Sequence, residues 1–192
     1  MQYAQGQVGR VFVVRIDDGE DLLESIQRFI TDKGIQSGSI TFLGALMNGR
    51  MVTGPEEPVI PPVPHFILFE GGWEVFGVGT IYPGEGGPHI HYHASIGRAG
   101  HALTGCLRQK ATTFLIVEAV IIEFTGLQAR REFDDRTQTS LPVFGTPEPK
   151  TGSKDNEQAQ EDKVKEPEPH MPEPEEEIQD DLADIIRDLT RR

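Results

Sequence analysis

Cysteine is almost missing from this chain: among 192 residues only Cys106 carries a thiol. One cysteine excludes an intrachain disulfide framework and a structural zinc site built from several cysteines. As a free residue, Cys106 reads as a small buried apolar side chain. Long apolar runs are missing too. The most apolar stretch, Phe114–Ile122, is interrupted by Glu118 and falls far short of the ~20 residues that cross a bilayer as a helix, so no membrane association is expected. Met1–Arg10 contains no basic region followed by an apolar run, so the chain reads as a cytoplasmic protein without a secretory signal. Positive charge is scarce. Eighteen Lys and Arg face 31 Asp and Glu, for a net charge of −13. Residues 1–140 hold 11 basic and 16 acidic side chains, and residues 141–192 hold 7 and 15, so acidity is concentrated at the C-terminal end. Such a chain repels phosphate polyanions over most of its surface, which disfavours DNA as a partner unless symmetry in an oligomer assembles a basic patch.

Composition changes near Pro142. Before it, β-branched and aromatic residues recur with Gly punctuation; after it come Pro, Glu, Lys, Gln and Asp. We expect a globular domain over 1–144, an acidic Pro-rich disordered linker over 145–174, and an amphipathic helix over 175–192. In that last segment Ile178, Leu182, Ile185, Ile186 and Leu189 share one helical face, suited to docking on the domain, on a sister subunit or on a protein partner. Within the globular part, Arg10–Ile16 reads as a strand. Asp18 is placed to cap a helix carrying Leu22, Leu23, Ile26, Phe29 and Ile30, with Gly34 at its end. Ser39–Met47 reads as a strand in which Gly44 marks a bulge or a close backbone approach. Met51–Pro64 reads as a loop or edge. His65–Glu70 and Trp73–Ile81 read as strands joined by a Gly71–Gly72 turn. A loop over 82–88, a strand over His89–Ile96, a turn at Gly97–Gly100 and a short segment through Leu107 follow. Thr112–Glu123 reads as the central strand, with Phe124–Phe133 extending it or pairing again. The fold class is α+β, mainly an antiparallel β-sheet with one long helix.

Four of the six histidines fall in PHIHYHASIGRAGH: His89, His91, His93 and His101. On a strand, side chains alternate faces, so His89, His91 and His93 share one face, while a Gly-hinged turn lets His101 fold back. Imidazoles at i and i+2 converge on one ion, and a three-His site with an open position suits a divalent transition metal such as zinc. The competing reading is a solvated or interfacial histidine face. We take His91, His93, His101 and His89 as the candidate metal ligands, one of which stands aside. Other chemistry is sparse. No nucleophile elbow, Walker loop or dinucleotide fingerprint is present. Glu118 is the acidic candidate nearest the site, with a salt bridge as its alternative. Arg98, Arg108, Arg130, Arg131 and Arg136 are anion-binding candidates, although Arg130–Arg136 is interleaved with Glu132, Asp134 and Asp135 as in an exposed charge network.

The order of these features resembles the PPC family, the "plants and prokaryotes conserved" domain. The matching segments are GRVFVVRIDDGEDLLESIQRFITDKGI, SITFLGAL, Trp73–Ile81, His91–Ser95, Gly100–Leu107 and Val117–Glu123. The resemblance implies an α+β domain on an antiparallel sheet, a homotrimer, a metal or ligand site mapped onto His91, His93 and His101, and a DNA-binding label. This chain has no R-G-R-P AT-hook, the family's DNA-contacting element in plants. Three functions compete. The first is a trimeric metal- or ligand-binding module of regulatory type whose tail recruits a partner. The second is a DNA-associated protein of the transcription class. The third is a metal-dependent enzyme that uses an open coordination position.

Overall fold

The computed structural model describes residues 1–145. Its elements run β1 (Gln7–Asp17), α1 (Leu22–Asp32), β2 (Gly38–Pro55), β3 (Pro64–Gly84), β4 (Gly87–Arg98), β5 (His101–Thr125), β6 (Ala129–Asp134) and β7 (Thr139–Phe144). All strand pairings within these elements are antiparallel, in the order β1-β5-β2-β3-β4. The C-terminal half of β4 also pairs with the start of β5, so the sheet closes back on itself. β6 and β7 form a separate hairpin. No helix among the described residues is long and apolar enough to cross a membrane. The acidic linker and amphipathic helix expected beyond Gly145 lie outside the described residues.

The expected long helix is short, 11 residues, and is capped by Asp21 rather than Asp18. Its Oδ1 accepts from the Glu24 amide at 3.0 Å and its Oδ2 from the Ala111 amide at 2.9 Å. Asp18 serves β5 instead, accepting from the Leu115 amide at 2.7 Å. Between them, Gly19 and Glu20 exchange backbone hydrogen bonds with Thr113. Gln109 and Leu115 of β5 have positive φ, and this acidic loop takes up amide groups that the irregular strand leaves unpaired. The first residues after β1 are therefore spent on a strand contact, which delays the helix. The helix ends at Gly34, φ +67°, where Gly34 N–H donates to Thr31 O and Ile35 N–H to Ile30 O, a Schellman closure. Leu22, Ile26 and Ile30 form its buried stripe. They join Ile16, Ile40, Phe42, Leu46, Phe69, Trp73, Ile81, Ile96 and Ile121 in one core.

Two expected breaks are absent. Gly71–Gly72 is a bulge inside one continuous β3, since the register jumps from Leu46↔Trp73 to Asn48↔Glu70. The Glu70 carbonyl freed there accepts from Trp73 Nε1 at 2.9 Å and Arg98 Nη1 at 3.1 Å, so the chain has no need to turn. The segment after Gly100 is strand throughout, giving a 25-residue β5. The expected bulge at Gly44 is present, as a register shift against β5 between Gly44 and Ala45.

Candidate metal centre

Tyr92, Ala94 and Ile96 of β4 point into the core, which turns His91, His93 and Ser95 to the outer face. Register then decides their neighbours. His93 lies across from Val78 on β3 and from Cys106 on β5, and His91 lies across from Thr80. Direct cross-strand partners share a face, so Cys106 joins the two histidines. The His91 and His93 rings meet edge to face with centroids 4.9 Å apart. Ligand atoms of His91, His93 and Cys106 all lie within 4.8 Å of one another. Tetrahedral zinc, with bonds of 2.0–2.3 Å, holds its ligands about 3.5 Å apart. Rotamer adjustment of about 1 Å closes that gap, and two imidazoles with a thiolate are a donor set zinc accepts.

The other expected ligands stand elsewhere in the protomer. His101 lies opposite Arg98 at the β4–β5 turn. It is five positions from Cys106, an odd number, so the pleat directs it to the opposite face. His89 shares the face of His91, but its Nε2 is engaged with the Glu85 carbonyl at 2.7 Å. Glu118 is cross-strand from Arg15 and from Leu43, in the part of β5 that pairs with β1 and β2 rather than in the segment His101–Cys106 that pairs with β4. Glu123 is ion-paired to Arg10 at 2.7 Å. Ser95 accepts a hydrogen bond from the Thr104 hydroxyl. Arg130 pairs with Glu132.

Two more residues complete the setting: Cys106, expected only as a buried apolar side chain, and Arg131, one of the expected anion-binding candidates. Cys106 is buried, as expected of an apolar cysteine, yet its sulfur converges with the imidazoles. Arg131, on β6, donates from Nη2 to Thr80 Oγ1 at 3.2 Å and from Nη1 to Ser140 O at 3.1 Å. Its Nε is buried without a partner. Burial pushes the Cys106 thiol up, against the opposing pull of Arg108 and Arg131. Burial first, then the charges of Arg131, His93 and Arg108, push His91 down to about 4 from its usual 6.5. At neutral pH His91 is therefore uncharged, the form that binds metal.

This shift predicts an acid dependence of stability in the metal-free protein. The unfolded chain protonates His91 near 6.5 and the folded chain only near 4. Between those values the unfolded state binds the extra proton, so stability falls as pH falls through that window. His91→Gln should flatten this part of the profile in urea melts taken from pH 7 to pH 4. Equal slopes for the two proteins would exclude a depressed His91.

Residues 3–125 match the family model of the Plants and Prokaryotes Conserved (PCC) domain. This chain belongs to the PCC family. Among solved structures, the PCC chain is similar to a metal-containing protein of Archaeoglobus fulgidus, with TM-score 0.66 and 24% identity over 74% of this chain and 99% of that one. It is similar to a plant- and prokaryote-conserved protein of Pyrococcus horikoshii, with TM-score 0.66 and 24% identity over 76% and 100% of the two chains. A candidate DNA-binding protein of Bacteroides thetaiotaomicron gives TM-score 0.60 and 23% identity over 75% and 98%. These likenesses place the PCC chain in that fold. No curated protein matches it.

Proposed function

We propose that this PCC-domain protein is a homotrimeric, regulatory metal-binding module, with a divalent transition metal such as zinc held by His91, His93 and Cys106. The observation that carries the reading is the convergence of two imidazoles and a thiol within 4.8 Å on one sheet face. The Archaeoglobus relative, named as metal-containing, supports it. His91 and His93 come from the histidine run, Cys106 takes the third place within the protomer, and a fourth position stays open for a ligand.

The trimer accounts for the outer face of the sheet. Val13, Val120, Val78, Leu43 and Phe76 are exposed there beside the candidate site. Contiguous exposed apolar surface marks an interface, and a second copy of the chain is the occupant proposed. The C-terminal tail remains the proposed element for recruiting a protein partner.

Elemental analysis of the purified full chain after zinc loading and exhaustive desalting tests the metal. The wild type should retain about one zinc per protomer. His91→Ala with His93→Ala should retain almost none, and Cys106→Ala should weaken retention by at least tenfold, since each variant removes ligand atoms from a small set. Equal zinc content in the wild type and the double variant would end the proposal. The name of the Bacteroides relative favours a second reading, DNA association. That reading requires duplex binding whose affinity falls steeply with salt, despite the net charge of −13. The third reading, a metal-dependent enzyme, requires a general acid or base at the metal, and its acidic candidate Glu118 lies across from Arg15 and Leu43.

A further inference from the structure

The metal reading leaves two cations unexplained. Arg108 lies two residues after Cys106 on β5, hence on the same outer face. Arg131 arrives from the separate β6–β7 hairpin, anchored to β3 at Thr80, the cross-strand partner of His91. Both guanidinium groups act on His91 and on Cys106, and the charge of Arg108 also disfavours that of Arg131. Among the described residues neither is ion-paired to a carboxylate. In a chain with 31 acidic residues against 18 basic ones, two uncompensated arginines beside one candidate metal site need a reason.

A divalent ion would sharpen the mismatch. Two imidazoles and one thiolate leave a bound divalent metal with net positive charge, facing two further positive charges. Arg131 also keeps its Nε–H buried without an acceptor, a group whose isolation costs stability until something accepts from it. One kind of ligand resolves the charge mismatch. A group with several oxygens on one centre can bind the open metal position through one oxygen and accept from guanidinium N–H groups through the others, which suits the fork geometry of arginine.

We propose that this site takes a small oxyanion, the phosphate or carboxylate group of a soluble molecule, held jointly by the metal, Arg108 and Arg131. The proposal rests on the metal reading and names the class of ligand that the open position accepts. Arg131 is the principal anchor because its hairpin contacts fix the guanidinium before the ligand arrives, which lowers the ordering cost of binding. Arg108 supplies charge from the adjacent strand. The scarcity of positive charge elsewhere makes this pair selective for a small anion over a long polyanion, which the remaining surface repels.

The test loads the full chain with Co2+, whose thiolate charge-transfer and ligand-field bands report the Cys106 ligand and the coordination shell. Inorganic phosphate and oxalate are then titrated in, alongside Arg131→Gln and Arg108→Gln. The wild type should show the thiolate band, and its ligand-field bands should shift on adding either anion. Arg131→Gln should keep the cobalt spectrum yet need about tenfold more anion, with a smaller loss for Arg108→Gln, as expected when one charge-assisted contact is removed. If the wild type shows no thiolate–cobalt band, the metal reading itself fails. A normal cobalt spectrum that neither anion perturbs overturns the oxyanion proposal alone, as do two arginine variants that bind anion as the wild type does.

Discussion

Gly44→Val should abolish or nearly abolish the folded domain, whereas Gly72→Ala on the adjoining strand should leave it within about 0.5 kcal/mol of wild type. A Cβ at Gly44 would stand 2.3 Å from the Ile116 carbonyl oxygen and 2.8 Å from the Val117 Cα, both backbone atoms of the neighbouring strand β5. Backbone cannot yield as the end of a flexible side chain can. Gly44 also has φ +147°, a region that side-chain-bearing residues rarely adopt. The unfavourable backbone costs ~1–3 kcal/mol and the overpacking a similar ~1–3 kcal/mol. Together they consume much of the ~5–15 kcal/mol that stabilises an ordinary domain. At Gly72 the nearest atoms lie at 3.8 Å, ordinary contact. Urea unfolding at matched protomer concentration reads the difference, because association shifts apparent stability. Equal midpoints for the two variants would refute the close approach of β2 and β5 at this bulge.

The same bulge shows what a single sequence can and cannot disclose. Gly44 interrupts an otherwise β-branched and apolar run, so a local irregularity was legible from residue type alone. The face shared by His91 and His93 was legible as well, because alternation is a property of one strand. What escaped depends on pairing between strands. Cys106 meets His93 only because β4 returns into β5 with that register, and nothing within GHALTGCL specifies it. His101 suggested a fold-back because it follows a Gly-bearing turn. The turn at Ala99–Gly100 is instead tight enough to set His101 directly across from Arg98, and the odd count to Cys106 then fixes its face. The helix start was misplaced for a related reason. Asp18 and Asp21 are equally good caps by type, and the choice between them is made by β5, ninety residues away, where Ala111 and Leu115 need acceptors. Arg131 reads in the sequence as an anion-binding candidate inside a mixed charge run, with nothing to place it near the histidines. Its role follows from the β6–β7 hairpin folding onto β3, a long-range contact with no local signature.

Leu43→Glu together with Phe76→Glu should convert the proposed trimer to single chains while leaving the sheet folded. These two residues are direct cross-strand neighbours, 55% and 60% exposed in the isolated protomer. Around them Val13, Val120, Thr41, Val78 and His93 form one continuous cross-strand row running through five strands, about 20 Å wide at ~4.8 Å per strand. In the adjoining row Leu43 and Phe76 lie between Glu118 and Ser95, so Val13, Val120, Val78, Leu43 and Phe76 form an exposed apolar patch that no helix among the described residues covers, and such a patch marks an interface. The helix cannot cover it, since the stripe of α1 is already spent on the core through Leu22, Ile26 and Ile30. Covering Leu and Phe in an interface contributes ~1.5–3 kcal/mol each. Two carboxylates per protomer would lose that and add desolvation of buried charge, so association should weaken by more than about a hundredfold. Ile60→Glu provides the control, being exposed in the loop between β2 and β3 and outside the strand rows of this face. Sedimentation equilibrium of the full chain should give three chain masses for wild type and for Ile60→Glu, and one for the double variant with an unchanged circular dichroism spectrum. A wild type that sediments as a single chain would sink the trimer, and a double variant that stays trimeric would place the interface on another surface.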